Sequence, residues 1–363
     1  MLPVSNLNDN SGNYRPMFVK FPFFSSLILF VLIASIQFPV MAADWIQKTI
    51  DYTINTQFDS AEYLINERLA YGDSSLPVYF YYASILNSKM THYENDEELD
   101  RFLEILNKII DEATLFIQVN GLLDDSSKAK LYFYRGSAYG YLAYVQGKNG
   151  QWLKALDNGM ASIDDLEKSV QIDSTLYDAY LGIGVYYYWR STKLKYMLWL
   201  PFVPDMRDEG INQIKLAIEK GRYSAALGMQ QLIYILLDYG RFDEAIPYAQ
   251  KVVELYPKSQ FMRWAHAHVY YKKHDYDKAI ESYFKLLELI KNDSQSNPSH
   301  WLFCQTRLAE IYFKQKKYEL AIQYAKQAID YKSVGPFKEK EKEKLEQAWE
   351  IFYKSKEALG KQK

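Results

Sequence analysis

The chain has 363 residues, 48% of them hydrophobic and 24% charged, the balance of a folded protein long enough for more than one ordinary domain. A formal net charge of −2 argues against a nucleic-acid partner, whose phosphates demand a clustered basic surface. The single cysteine, Cys304, excludes an intramolecular disulfide, and an aromatic content of 16% with 33 tyrosines supplies flat apolar bodies with polar tips, suited to helix packing beside a wet face.

The first predicted element is a leader over residues 1–43. Lys20 precedes a compact apolar run from Leu27 to Ile36, and Val40 and Ala42 occupy the −3 and −1 places of a small-residue cleavage site. Met17 is a candidate start, because the residues before it are mostly polar. These features predict export, with the mature chain periplasmic or extracellular and beginning at Ala43 or Asp44. The alternative is an uncut helix over residues 21–40, which has the ~20 apolar residues a bilayer span needs.

Residues 44–175 read as divergent helical repeats. Trp45, Tyr52, Phe58 and Ala61 share one helical face, and Ala83 with Leu86 fits the next helix. Glu97 to Phe116 and Lys128 to Gln146 are long helix candidates by apolar spacing. Residues 176–331 carry clearer repeats, opening with Tyr180, Ile183, Gly184 and Tyr187 on one helix. Its partner helix comes late, near Asp208 to Glu219, after an apolar insertion at 190–205. Within that insertion Leu194 to Pro204 includes Tyr196, Trp199 and Phe202. Loops normally run polar across a surface, so this segment predicts either a plug against the core or an exposed contact for a partner or membrane.

The clearest copies follow. Gly240-Arg241-Phe242-Asp243-Glu244-Ala245-Ile246 aligns with His274-Asp275-Tyr276-Asp277-Lys278-Ala279-Ile280, 34 residues on, and with Lys316-Lys317-Tyr318-Glu319-Leu320-Ala321-Ile322, a further 42 on. The longer step fits the polar loop Asn292 to Pro298. An aromatic residue and an alanine three positions later lie on one face of a helix, where the small side chain admits a neighbouring helix and the ring fills the space beside it. The same stripe continues through Ala249 and Val253, Tyr283 and Leu287, and Ala325 and Ile329. Residues 332–363 predict a capping helix, its apolar face formed by Leu345, Ala348, Trp349 and Phe352.

This spacing resembles tetratricopeptide repeats, in which each unit is a pair of antiparallel helices. The resemblance implies an all-α, right-handed superhelical solenoid whose first helices line a concave groove. Carried over position by position, the groove residues are Tyr188, Trp189, Gln230, Tyr234, Leu237, Trp264, His268, Tyr271, Thr306, Glu310 and Phe313. That face reads as aromatic with few charges. Some members of the family clamp a carboxylate with Lys and Asn; Gln230, Tyr234, Trp264, His268, Thr306 and Glu310 stand at those places here, so that clamp is absent.

Nothing in the chain predicts catalysis, a cofactor or a metal site. His266 and His268 are two apart on a helix and point in opposed directions. His300 and Cys304 are four apart with no further ligand spaced near them. The expected function is an exported scaffold that binds a protein or peptide in the groove, in cell-envelope assembly or secretion. The alternative is a membrane-associated adaptor held by residues 21–40 or by the 194–204 insertion.

Overall fold

The computed structural model describes residues 41–119, 123–194, 196, 204–293, 296–332 and 338–362. The leader up to Val40, and Lys195 with residues 197–203 of the insertion, lie outside the described residues. Among the described residues every regular element is a helix. In chain order these are α1 (Met41–Ile54), α2 (Phe58–Ala70), α3 (Leu76–Tyr93), α4 (Leu99–Val119), α5 (Asp125–Lys148), α6 (Trp152–Ile172), α7 (Ala179–Lys193) and α8 (Arg207–Lys220). The chain continues through α9 (Ala225–Asp238), α10 (Phe242–Leu255), α11 (Gln260–Lys272), α12 (Tyr276–Asn292), α13 (Pro298–Lys314), α14 (Tyr318–Ile329) and α15 (Glu339–Gln362). Consecutive helices pair, and the pairs stack into a solenoid.

One local device makes five of the pairs. Thr56, Gly150, Gly240, His274 and Lys316 each sit two residues before a second helix with φ of 60°, 74°, 80°, 62° and 60°. In each case the residue that follows donates its N–H to a carbonyl five positions back, as Arg241 does to Leu236 at 2.8 Å and Asp275 to Tyr270 at 3.0 Å. This satisfies the last carbonyls of the first helix and reverses the chain in two residues. Only two of the five are glycine, so the other three hold a left-handed conformation that costs an L-residue about 1–2 kcal/mol.

The turn explains the aromatic–alanine signature, because it delivers the ring on the first residue of the second helix. Ala61, Ala245, Ala279 and Ala321 are buried on the facing side. The pair α5–α6 has the same turn at Gly150-Gln151-Trp152, with Ala155 three residues beyond Trp152. The buried stripe then runs Ala245, Ala249, Val252; Ala279, Tyr283, Leu286; and Ala321, Ala325, Ala328. Val253, Leu287 and Ile329, expected in that stripe, sit half-buried at its shoulder. Seven residues bring a helix back to within about 20° of its starting direction, whereas eight overshoot by about 80°.

The pair α7–α8 is closer than the others. Gly184 faces Gly210 so tightly that a Cβ on either would collide with the other's carbonyl oxygen. The buried Asp178 carboxylate accepts from the N–H groups of Arg222, Tyr223 and Ser224 at 3.2, 2.9 and 2.8 Å, which pins the α8–α9 link to the start of α7.

The two ends of the solenoid meet. Ser259 donates its hydroxyl to the Ile54 carbonyl at 2.6 Å, and Tyr256 to the Asp51 carboxylate at 3.1 Å. Lys338 reaches the Glu94 carbonyl at 2.9 Å, and Lys340 the Glu94 carboxylate at 3.0 Å. His92, at the end of α3, packs between Phe58 at 5.7 Å, Phe261 at 5.6 Å and His300 at 5.2 Å. Burial pushes His92 down to about 4, against the pull of the Asp293 carboxylate, and His300 down to about 3. Both rings are therefore neutral near pH 7.

Helix α15 closes the far end. Its buried Glu341 accepts from the hydroxyls of Ser299 and Tyr331, each at 2.7 Å, and from the Lys338 N–H at 2.8 Å. The inward face is Ala348, Ile351 and Ser355. Trp349, expected on that face, is 43% exposed and stacks on Tyr353 at 5.6 Å. The buried residues Ala348, Ile351 and Ser355 follow steps of three and four, which rotates the stripe away from Trp349.

Candidate binding face

First helices of successive pairs touch one another, as α9 and α11 do, the repeat resemblance assigns their open side to the inner face, and the turns at Gly240, His274 and Lys316 fix their register. Along this face the predicted residues divide into two groups. Tyr188 is fully buried, its ring edge-on to Trp189 at 5.2 Å and to Tyr239 at 5.9 Å, its hydroxyl donating to Asp238 at 2.7 Å. Trp189, Gln230 and Leu237 are buried as well. The close α7–α8 crossing and the Asp238 carboxylate that accepts its hydroxyl place Tyr188 in packing. Thr306 is buried too, its hydroxyl donating to the Leu302 carbonyl at 3.0 Å.

The second group stays partly open. Tyr234, Trp264, His268, Glu310 and Phe313 are half-buried. Tyr234 and His268 lie edge to face at 6.4 Å, and Trp264 lies 5.9 Å from His300 and 6.0 Å from Tyr283. Phe313 rests on Tyr318 at 5.8 Å. Tyr271 bridges the two groups: its ring is buried, and its hydroxyl donates to Glu310 at 2.5 Å and accepts from Lys314 at 2.9 Å. In the insertion, Tyr196 is exposed, while Trp199 and Phe202 lie outside the described residues.

The expectation of a face with few charges needs correcting at its C-terminal end. Arg307 lies over the Tyr271 ring at 4.1 Å and donates to Glu310 at 2.6 Å. Lys344 of α15 stands beside them, donating to the Gln347 amide oxygen at 2.9 Å. Burial opposes ionisation of Glu310, but the Arg307 guanidinium, the Tyr271 hydroxyl and Lys314 outweigh it and hold the carboxyl below its ordinary value. Arg307 was missed because it stands one position beyond an inner-face place, and its long stem carries the charge back over Tyr271. Arg307, Glu310 and Lys314 at spacings of three and four were the available signal.

The histidines have separate surroundings. His266 bonds Ser282 through Nδ1 at 2.9 Å, while His268 faces Tyr234 and Tyr271. Cys304 is fully buried with its thiol pushed up by burial.

Two family models described as tetratricopeptide repeat match residues 265–296 and 304–333. No curated protein matches the chain. Among solved structures, YrrB, described as a protein of this repeat family with an unusual peptide-binding site, is 18% identical and covers 63% of this chain and 92% of its own, with a TM-score of 0.38. The C-terminal part of a repeat-containing protein from Cytophaga hutchinsonii is 18% identical, covers 84% of this chain and 98% of its own, and has a TM-score of 0.41. The human IFIT1 dimer, solved with m7Gppp-AAAA, is 15% identical over 94% of this chain and 71% of its own, with a TM-score of 0.41.

Proposed function

Because the chain is a tetratricopeptide-repeat protein, a helical scaffold of a typically non-catalytic kind, we propose that it holds a protein or peptide partner against the C-terminal half of its inner face. The observation that carries this reading is the half-buried row Tyr234, Trp264, His268 and Glu310 on three successive inner helices. Aromatic side chains there offer large contact area at low cost in conformational entropy. Tyr188 and Trp189 are buried and stand outside this row.

The reading extends to location. Lys20, the run Leu27 to Ile36 and Val40-Met41-Ala42 support export and a role outside the cytoplasm, in envelope assembly or secretion. The second reading, a membrane-held adaptor, draws on the exposed Tyr196 at the start of the insertion. Among the described residues no helix is long and apolar enough to cross a membrane, so that reading rests on residues 21–40 or on the insertion. N-terminal sequencing of protein from its host separates the two: a start at Ala43 or Asp44 supports export, and a mature form keeping Leu27 to Ile36 overturns it.

The binding face is tested by Trp264→p-benzoylphenylalanine, irradiated in the host. A specific adduct from position 264 and none from Lys285, on the outer helix α12, is the expected result. Adducts at Lys285 alone would move the binding face to the outer helices.

A further inference from the structure

The C-terminal end of the inner face holds more positive charge than its own carboxylates cancel. Arg307 and Lys314 of α13 and Lys344 of α15 converge on Glu310, which accepts from Tyr271 at 2.5 Å, Arg307 at 2.6 Å, Lys314 at 2.9 Å and Gln347 at 3.3 Å. Lys344 donates to a neutral amide, that of Gln347. Glu343 is the other carboxylate bearing on Lys344, and it is exposed. Three cations therefore share one half-buried and one exposed carboxylate, and Lys272 adds a fourth at the end of α11.

The neighbouring His268 reports the same imbalance. Burial first, then Arg307, Lys272 and Lys344, push its ring down to about 3. Arg307 is held in place by the Tyr271 ring below it, so its charge is positioned before any ligand arrives, which lowers the ordering cost of binding. The attraction is local, since the chain as a whole carries a net charge of −2.

We propose that this end of the inner face receives the carboxylate of an aspartate or glutamate side chain from the peptide partner, with Arg307 and Lys344 as its cationic seats and the Trp264–His268 face as the wall beside it. The inference rests on the reading that a peptide lies on the inner face, and it names the chemistry that face selects. Guanidinium and ammonium groups in a partly dry setting bind carboxylates through charge-assisted hydrogen bonds. A nucleic-acid backbone instead needs cations strung along a track at phosphate spacing, whereas these converge on one point.

The test is calorimetric titration of the full chain with a hexaglutamate peptide blocked at both ends, beside blocked hexaglutamine and hexaadenylate RNA. Hexaglutamate is expected to bind, to weaken with added salt, and to exceed hexaglutamine by about tenfold or more. Lys344→Gln and Gln347→Glu, which remove the surplus charge in different ways, should each weaken it by about tenfold or more. Lys154→Gln, on the exposed start of α6, should leave it unchanged. Circular dichroism and melting curves establish that each variant folds, and Lys314→Gln replaces either one that does not. Equal binding of the two peptides, or folded Lys344→Gln and Gln347→Glu proteins that bind hexaglutamate like the parent, overturns the proposal. So does tighter binding of the RNA, which would make the cluster a nucleic-acid contact. If hexaglutamine binds equally well and Trp264→Ala abolishes it while Lys344→Gln does not, the inner-face reading stands and only the carboxylate seat fails. Absence of binding by either peptide, with no adduct from position 264, removes both.

Discussion

Helices α3 and α11 hold equivalent places, each the first helix of its pair, yet they do different work. Fourteen of the eighteen residues of α3 are buried, including polar Ser84, Asn87 and His92. Its Tyr81 touches Trp45 at 5.8 Å and Tyr223 at 6.4 Å, and Tyr141 donates to Ser84 at 3.3 Å. Helix α11 buries eight of thirteen residues and leaves Trp264 and His268 half-open. The difference arises because α3 is covered by Trp45 of α1, Tyr141 of α5 and Tyr223 of the α8–α9 link, and at its end by Phe261 and His300, so its inner face has become core. A repeat position alone does not decide whether a residue is buried or left half-open; the tertiary packing around it does.

The comparison breaks most visibly at the hub. Tyr81→Ala removes a fully enclosed ring and should cost about 3–5 kcal/mol in urea unfolding. Trp264→Ala removes a half-buried one and should cost no more than about 1–2 kcal/mol. Equal losses would mean that the inner face is as closed at α11 as at α3.

Acid should act next, through the joint between the ends. His92 and His300 face Asp293, Lys338 and Lys340. Their folded values of about 4 and about 3 lie below the ordinary 6.5, so between those limits the unfolded chain binds more protons and stability falls as pH falls. The stabilisation is complete above about 6.5 and is lost by about 2 kcal/mol per histidine at pH 5. His300→Asn should remove one histidine's share of the dependence of unfolding free energy on pH over that range, with His266 and His268 keeping theirs, and an unchanged slope would place the titration elsewhere.

A smaller effect is expected at the helix crossing of α7 and α8. Gly184→Ala must push α8 away from α7 and should cost about 1–3 kcal/mol, whereas Gly360→Ala, with open space around it, should be neutral within about 0.5 kcal/mol. The smallest effect concerns the turns. His274→Gly relieves a left-handed residue and should stabilise by up to about 1 kcal/mol, while Gly240→Ala should destabilise by a similar amount. Melting curves with the opposite signs would contradict the shared turn geometry.

The sequence was legible where structure is local. The aromatic–alanine pairs at 242, 276 and 318 mark helices α10, α12 and α14, and the candidates over 97–116, 128–146 and 208–219 lie within or close to the observed α4, α5 and α8. Gly150-Gln151-Trp152-Leu153-Lys154-Ala155 carried the same signature and went unread, its Trp152 now 69% exposed. What stayed hidden was long-range. Contacts such as Ser259 with Ile54 join residues 205 apart, and no spacing along one helix reports them. The candidate face suffered for the same reason, because Tyr188 and Tyr271 share the pattern of Trp264 while tertiary packing buries only the first two.

The most direct test of an inner face shut at α3 and open at α11 is thiol alkylation of the folded protein. Native Cys304 is fully buried with a raised thiol, so the parent provides a silent background. Ser84→Cys on α3 should likewise react only as fast as the protein unfolds, and Trp264→Cys on α11 should react in the native state, faster by orders of magnitude. Comparable rates for the two, in either direction, would contradict the account.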